Sequence, residues 1–459
     1  MSTSSAEITE PARATPVIAE FDLCVVGGSC TGVFAAIAAA RLGLRVALVE
    51  TLGLLGGTAT ASMVCVWHSL WNSTGEQRVT AGLTQRLIDR LMARGAVIEK
   101  ERNNPHWQYC FNPAEMAIEL DTLVEEHGIQ VFLHTRVVSV ITADAAQRQV
   151  SALVIEDKSG RRAIRARAVV DASGDADVLR RLGVKTRQHE HLQPPTTAVA
   201  VTGLDAIRAA DPTFNLSKEV FDPTRPGSLK RSFLWSAPLP GSEHVSMIFG
   251  TRVHGVDCSR AEDLTQAERE GRRQARAIVD LVRERRPGFP VAMVGLPARI
   301  GIRESHHAEC LHHLTGDELL HGVRFPDAIA NSWYRVDIHT QGGGGITFRN
   351  LDGSEQVCHD DGTWTVGRWR PEQALDPTFY QIPYRSLVPT ALDNVLVAGR
   401  CLDADVQANG AVRVMVVCNQ MGEAAGTAAA LALKGGTTMA QVDPAVLRRT
   451  LSEHGAVML

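Results

Sequence analysis

Phe21-Asp22-Leu23-Cys24-Val25-Val26-Gly27-Gly28-Ser29-Cys30-Thr31-Gly32, then Val33 to Leu42, then Leu44-Arg45-Val46-Ala47-Leu48-Val49-Glu50, is the stretch that decides the fold of this chain. Phe21–Val26 reads as a short apolar strand and Gly27–Gly32 as a glycine turn. Val33–Leu42 is Ala-rich and free of proline, which favours helix. Gly43 stops that helix, and Leu44–Val49 is a second strand that ends in an acid. A β-turn-α-β unit of about 30 residues is the setting in which a glycine turn cradles a dinucleotide pyrophosphate. The amides that open a helix are unpaired and carry partial positive charge, so they suit a phosphate group. Gly27 permits the tight turn and Gly32 a close helix–strand contact. Ser29 stands where the fingerprint has its second glycine; Gly28 beside it keeps backbone approach open, and the Ser29 hydroxyl can donate to a phosphate. Glu50 falls about 20 residues beyond the turn, where an acid accepts from ribose hydroxyls.

Outward from this unit the alternation continues. Glu115–His127 reads as an amphipathic helix and Gln130–Ile141 as a strand. Val150–Glu156 and Ala163–Asp171 flank a turn at Asp157-Lys158-Ser159-Gly160 and predict a hairpin. Residues 186–260 mix Pro, Gly and short strands with little helical periodicity. A charged helix is predicted over Leu264–Arg286, a buried strand over Val395–Ala398, and a small-residue helix over Val414–Leu433.

The 459 residues are 44% hydrophobic and 21% charged, with a net charge of −4. That balance supports a sizeable core and argues against nucleic acid or an anionic membrane surface as partner. No charge-free apolar run of about 18 residues and no apolar signal core is present, so neither a membrane span nor a secretory signal is expected, and a cytoplasmic location is. The nine cysteines are scattered without CxxC spacing and predict neither a disulfide framework nor a zinc knuckle. Cys30, although at a helix start that would lower a thiol pKa, reads as packing. His306, Cys310 and His313 would share one face if their segment were helical, but a bound metal is not expected there or elsewhere.

Three further segments make the chain similar to a known family. Gly53-Leu54-Leu55-Gly56-Gly57-Thr58-Ala59-Thr60 follows Glu50. Val169-Val170-Asp171-Ala172-Ser173-Gly174-Asp175-Ala176-Asp177 looks like a strand that returns to a cofactor. Asn394-Val395-Leu396-Val397-Ala398-Gly399-Arg400-Cys401 leads to Gly410–Met415 and Met421–Thr427. With these motifs the chain resembles the FAD-dependent oxidoreductase family, within the superfamily that includes fumarate reductase and glutathione reductase-like flavoproteins. The resemblance spans roughly residues 21–435 and is weakest over 190–290.

The resemblance implies an α/β architecture, a doubly wound Rossmann-type FAD-binding domain with an inserted α+β substrate domain. The boundaries it suggests are a flexible tail at 1–20, FAD-binding parts at 21–185 and 376–440, a substrate domain at 186–375, and a helical C-terminal tail at 441–459. It further implies that Gly27, Gly28, Ser29, Thr31 and Gly32 cradle the pyrophosphate and that Glu50 holds the ribose. Gly56, Gly57 and Thr58 would lie near the pyrophosphate or ring, Val137 would meet the adenine through its backbone, and Gly174 and Asp175 would return the chain to the cofactor. Gly399, Arg400, Arg413 and Val414 would meet the ribityl chain and ring, where a helix start faces the flavin C2 carbonyl. Relatives that tether FAD do so through a His ahead of the Gly-Gly; Thr51–Leu55 contains none, so FAD is expected to be held non-covalently.

No second strand–glycine turn–helix unit follows, since Gly342–Gly345 leads into Ile346-Thr347-Phe348, which reads as strand. A built-in nicotinamide domain is therefore not expected. Candidates for proton transfer come from the insert: His339, with the glycine run behind it, as a general acid or base. Arg303 and Arg385 could clamp a carboxylate or carbonyl, or simply form ion pairs. The expected activity is hydride exchange between flavin N5 and a small organic substrate, with an electron acceptor or donor still to be identified. The alternatives are an oxidase or monooxygenase fed by an external donor, and a flavin-binding scaffold subunit. An oligomer is compatible with everything above.

Overall fold

Strand β1 (Val17–Val26), helix α1 (Cys30–Arg41) and strand β2 (Val46–Val49) form the unit expected from the glycine turn. The computed structural model describes residues 7–143, 146, 148–229, 234–340, 345–359 and 362–459. β1 and β2 pair in parallel, with Leu23 opposite Val46 and Val26 opposite Val49. Helix α1 starts at Cys30 rather than Val33 because Ser29 caps it, its hydroxyl accepting from the Gly32 N–H at 3.4 Å. The flexible tail expected over 1–20 is corrected in its last part. Val17–Glu20 already belong to β1 and run beside Ala163–Arg165.

The main sheet runs Gln130–Phe132, β2, β1, Gly160–Asp171, Val150–Asp157, Arg136–Thr142. Its centre is parallel, and the predicted hairpin forms an antiparallel flank. One edge of the strand Gly160–Asp171 is shared. Its first half pairs with the hairpin partner, and Val169–Asp171 pair in parallel with Val395–Val397. That pairing returns the last part of the chain to the carboxyl ends of the first strands, the side of an open α/β sheet on which ligands bind.

The single strand expected over Gln130–Ile141 is instead two strands on opposite edges of the sheet. Between them His134 takes a left-handed conformation with φ of 51°, and its N–H donates to the Leu52 carbonyl at 3.1 Å. The apolar pattern runs through this break, so periodicity could not show it. Short helices over Leu204–Ala210 and Leu216–Phe221 also escaped the sequence reading, being too brief to display a helical period.

Between the two ends of the sheet the chain builds two antiparallel sheets. One orders Trp235–Pro238, Val245–Phe249, Val199–Thr202 and Ala292–Gly295; the other is a meander of Val336–His339, Ile346–Arg349, Ser354–Cys358 and Trp364–Arg368. Glycines 342–344, invoked for close substrate approach, lie outside the described residues. Tyr380–Pro383 pairs with Ala328–Ser332, so residues just past 375 still lean on the insert.

The closing helix Met415–Gly435 packs across α1 at very short range. A Cβ on Gly422 would lie 2.1 Å from the Thr31 carbonyl oxygen, and one on Gly426 1.9 Å from that of Ala35. Glycine at these two positions, one turn apart, lets the helix backbones touch. Within the same helix Glu423 is buried and receives the Leu83 N–H at 3.2 Å. Burial raises its carboxyl from 4.5 to about 7, against the smaller opposing effects of that N–H and of Arg41.

A carboxyl raised on folding contributes stability below its unfolded pKa, and that contribution is lost as pH climbs through the folded value. Glu423→Gln is therefore expected to be most beneficial above pH 7. Between pH 4.5 and 8, urea unfolding should show wild type losing roughly 3 kcal/mol relative to the variant. Parallel pH profiles for the two proteins would contradict this.

Candidate functional site

A cavity of about 650 Å³ opens at the carboxyl ends of β1 and the strand Gly160–Asp171. Both helix starts reach it, α1 through Ser29, Cys30 and Thr31 and the closing helix through Val414 and Met415. The volume falls in the range of roughly 300–1,000 Å³ usual for cofactor and ligand sites.

Of the residues expected at the cofactor, Gly27, Ser29, Thr31, Glu50, Gly56 and Gly57 line the cavity, as do Thr58, Gly174, Gly399, Arg400, Arg413 and Val414. Gly27 has φ of 104°, and a Cβ there would sit 2.5 Å from the Ala172 carbonyl oxygen. That contact fixes the turn as glycine. Glu50 binds its own neighbourhood first: Oε2 accepts the Gly28 N–H at 2.6 Å, and Oε1 accepts the Leu52 N–H at 2.8 Å and the Thr51 hydroxyl at 3.0 Å. A carboxylate has about four lone-pair sites, so Oε2 keeps one for a further donor from the cavity.

Five expected residues stand off the cavity wall. Gly28 and Gly32 shape the turn from behind; a Cβ on Gly32 would lie 1.8 Å from the Gly27 carbonyl oxygen. Val137 is buried under the sheet, in the core shared by the hairpin strands. Asp175 is buried between Arg299, at 3.4 Å, and Arg400, at 3.3 Å, and receives the Ser305 hydroxyl at 2.5 Å. Burial alone would raise its carboxyl, but Arg400 and Arg299 hold it below the usual range. It positions those arginines from behind the wall. Arg385 is corrected as a catalytic candidate: its guanidinium pairs with Asp327 at 3.0 Å, with its side chain 46% exposed, away from the cavity.

The other two candidates do meet. Strand Val336–His339 lies against the helix Val406–Val412, where a Cβ on Gly410 would come within 2.9 Å of the Asp337 carbonyl oxygen. This contact seats His339 beside Arg413. His339 Nδ1 accepts from Arg252 Nε at 2.8 Å, the His339 backbone N–H donates to Gln193 Oε1 at 2.8 Å, and Nε2 stands 3.5 Å from Asp337 Oδ1. Because Nδ1 accepts, the ring proton sits on Nε2. Burial, then the charges of Arg303, Arg252 and Arg413, push His339 well below 6.5. Arg303 donates to the Pro194 carbonyl; burial and the nearby Arg413 and Arg252 lower it to about 9. Burial lowers Arg252 to about 10.

Sequence reasoning missed the rest of this group. The Tyr334 hydroxyl donates to Asp337 Oδ2 at 2.9 Å, and Arg413 Nη2 donates to the Asp337 carbonyl at 3.0 Å. The His68 ring lies on Tyr334 with centroids 3.9 Å apart, and burial lowers that imidazole to about 3. Proximity of Tyr334, Arg335 and Asp337 to His339 in the chain was the only available signal; Arg252 and His68 had none. Among the described residues lining the cavity, six arginines (252, 299, 303, 335, 400 and 413) face only two acids, Glu50 and Asp337. His306, Cys310 and His313 do not share a helix face: His307–Ala308 is a strand, His306 Nδ1 meets Thr186 Oγ1 at 2.9 Å, and His313 Nδ1 meets Asp403 Oδ1 at 2.6 Å.

The family described as FAD dependent oxidoreductase matches residues 22–451. The chain belongs to this family. It is an FAD-dependent oxidoreductase, and the cavity fits the cofactor. Arg400 Nη1, Arg413 Nη1 and both amide atoms of Asn419 are buried without a hydrogen-bond partner on residues that line it. Such atoms call for a polar ligand. Similar solved structures include a geranylgeranyl bacteriochlorophyll reductase-like protein from Thermoplasma acidophilum, at 13% identity over 95% of this chain and 83% of that one, with a TM-score of 0.44. A p-nitrophenol 4-monooxygenase from Pseudomonas putida matches at 11% identity over 95% and 83%, with a TM-score of 0.43. Aklavinone-11 hydroxylase, solved with FAD and aklavinone, matches at 14% identity over 90% and 63%, with a TM-score of 0.41. No curated protein matches the sequence. No helix among the described residues is long and apolar enough to cross a membrane.

Arg385→Ala should lower stability by about 1.5–3 kcal/mol, the usual worth of a hydrogen bond to a charged group, and leave flavin content and turnover unchanged. Loss of flavin or of activity in a folded variant would return Arg385 to the site.

Proposed function

We propose that this enzyme oxidises or reduces a small organic carboxylate, and that the observation carrying this reading is the arginine-rich end of the cavity around His339. The cofactor's pyrophosphate belongs with the α1 start and Gly27–Gly57. Arg252, Arg303 and Arg413 lie apart from that turn, beside Asp337 and His339, where a second anion is stabilised by charge-assisted bonds. Bound FAD supplies a two-electron acceptor or donor that exchanges hydride at N5.

The chain's own groups do the remainder. Arg303, with Arg252 beside it, orients the substrate carboxylate. His339, kept neutral with its proton on Nε2, donates a hydrogen bond and does not act as a base. Asp337 Oδ1, buried without a hydrogen-bond partner, is the proton acceptor. Tyr334 holds the other Asp337 oxygen and so fixes the direction in which Oδ1 points. Aromatic and apolar groups, Trp107, Trp235 and Phe348 among them, exclude water from this end. FAD would be held without a covalent bond: Thr51–Leu55 carries no His, and the thiols on the wall, Cys30 and Cys418, are pushed up to about 12 by burial and are poor nucleophiles.

Anaerobic mixing of FAD-loaded enzyme with matched panels of carboxylic acids and their neutral amides tests the reading. Acids alone are expected to bleach the flavin. Turnover that requires O2 and an external reductant, with no anaerobic bleaching by any acid, would replace it with an oxygenase. With an active acid in hand, Arg303→Met should raise KM roughly tenfold or more, equivalent to about 1.4 kcal/mol. The rate of flavin reduction should show no step near pH 6.5, because His339 stays neutral through that range; an inflection there would contradict its assignment. Acid precipitation should release the yellow colour into the supernatant, and a yellow pellet would show a covalent bond.

A further inference from the structure

Behind the cavity wall, two segments distant in sequence bring together His189 with Glu304 and His307, with one ligating atom of each within 4.8 Å of the others. None of the three lines the cavity. Their outward-facing atoms are accounted for. His189 Nε2 lies 3.2 Å from the Ala404 carbonyl oxygen, and His307 Nδ1 lies 3.0 Å from that of Leu402. A carbonyl oxygen only accepts, so each of these nitrogens carries the ring proton. In a neutral imidazole the other nitrogen then holds a lone pair.

Those lone-pair nitrogens, His189 Nδ1 and His307 Nε2, both face the same carboxylate oxygen, Glu304 Oε1, the second at 3.2 Å. The other oxygen, Oε2, is occupied by the Gln193 N–H at 2.8 Å. Three electron-pair donors thus converge on one small volume. Either protons on the rings or on Glu304 turn these contacts into hydrogen bonds, or a cation sits among them.

We propose that His189 Nδ1, His307 Nε2 and Glu304 Oε1 bind one divalent transition-metal ion, zinc by the chemistry of the donor set. Two neutral imidazoles and a carboxylate are a common zinc environment, with a fourth position for water. The two carbonyls that fix the ring protons are the partners that orient metal-binding imidazoles elsewhere. Solvent reaches the site from the side of His189, whose side chain is 16% exposed, while those of Glu304 and His307 are buried.

The ion would brace the catalytic end of the cavity. Gln193 holds Glu304 with its N–H and receives the His339 N–H on its side-chain oxygen. Arg303 precedes Glu304, and Leu402 and Ala404 follow the Gly399–Arg400 turn. The ion would hold three groups of the insert, and its two imidazoles reach the 402–404 segment through their own ring N–H groups. Its role is positional and does not depend on which substrate the cavity takes.

The test uses tag-free, FAD-loaded enzyme stripped with a chelator, exposed to Zn2+ and then dialysed against metal-free buffer. Elemental analysis should find one zinc per chain in wild type. His189→Ala, at the solvent rim, should load flavin normally and bind zinc at least about a hundredfold more weakly. Wild type that retains no zinc overturns the proposal, as does a full equivalent of zinc on flavin-loaded His189→Ala. Should that variant fail to load flavin, nitrogen-15 NMR of wild type decides. Lone-pair signals at His189 Nδ1 and His307 Nε2 that shift on zinc addition support the site, whereas two doubly protonated rings indifferent to zinc refute it.

Discussion

The contact on which the rest depends is the crossing of α1 with the closing helix. Gly422 and Gly426 place one backbone directly on the carbonyls of Thr31 and Ala35. No side chain larger than hydrogen fits there, and interiors packed at crystal-like density leave no slack for one. The crossing joins the first turn of α1 to the second turn of a helix that begins far later in the chain. Two sets of unpaired amides consequently border one cavity, and the partial positive charge of both helix starts acts on the same bound group.

Around that frame the chain spends buried polar groups freely. Asp175 sits between Arg299 and Arg400, and Glu50 accepts from the Gly28 and Leu52 N–H groups and the Thr51 hydroxyl. A buried charge is tolerated only with such partners. Removing one partner of any set leaves the other uncompensated, so the wall of the cavity behaves as a cooperative unit. The neutrality of His339 has the same origin: three guanidinium groups and burial act on it together, and a single nearby carboxylate does not offset them.

The sequence made the nucleotide half of the protein legible. Gly27, Gly32 and Glu50 could be placed in the strand–turn–helix–strand unit because the turn, the helix start and the acid are local, separated by a fixed geometry that spacing records. The hairpin at Asp157–Gly160 and the return strand Val395–Val397 were legible for the same reason, each announcing itself by a turn or by an apolar run. Where a local signal was ambiguous the reading failed in a physical way. Arg385 had the residue type of a substrate clamp, but its partner, Asp327, is chosen by the pairing of Tyr380–Pro383 with Ala328–Ser332. Gln130–Ile141 read as one strand because a left-handed His134 leaves no trace in hydropathy.

Only the tertiary structure decided the chemistry. His339 was visible as a residue, yet its tautomer depends on Arg252, which comes from a different segment, and its neutrality depends on Arg303 and Arg413 from two more. His189 reaches Glu304 and His307 only once the short strand Thr186–Arg187 has paired with His307–Ala308. Electrostatic and ligating distances fall off within a few ångströms, and the order of residues along a chain does not encode distances between segments a hundred positions apart. Secondary structure and the phosphate turn follow from neighbours in sequence; charge state, proton position and convergent lone pairs follow from neighbours in space.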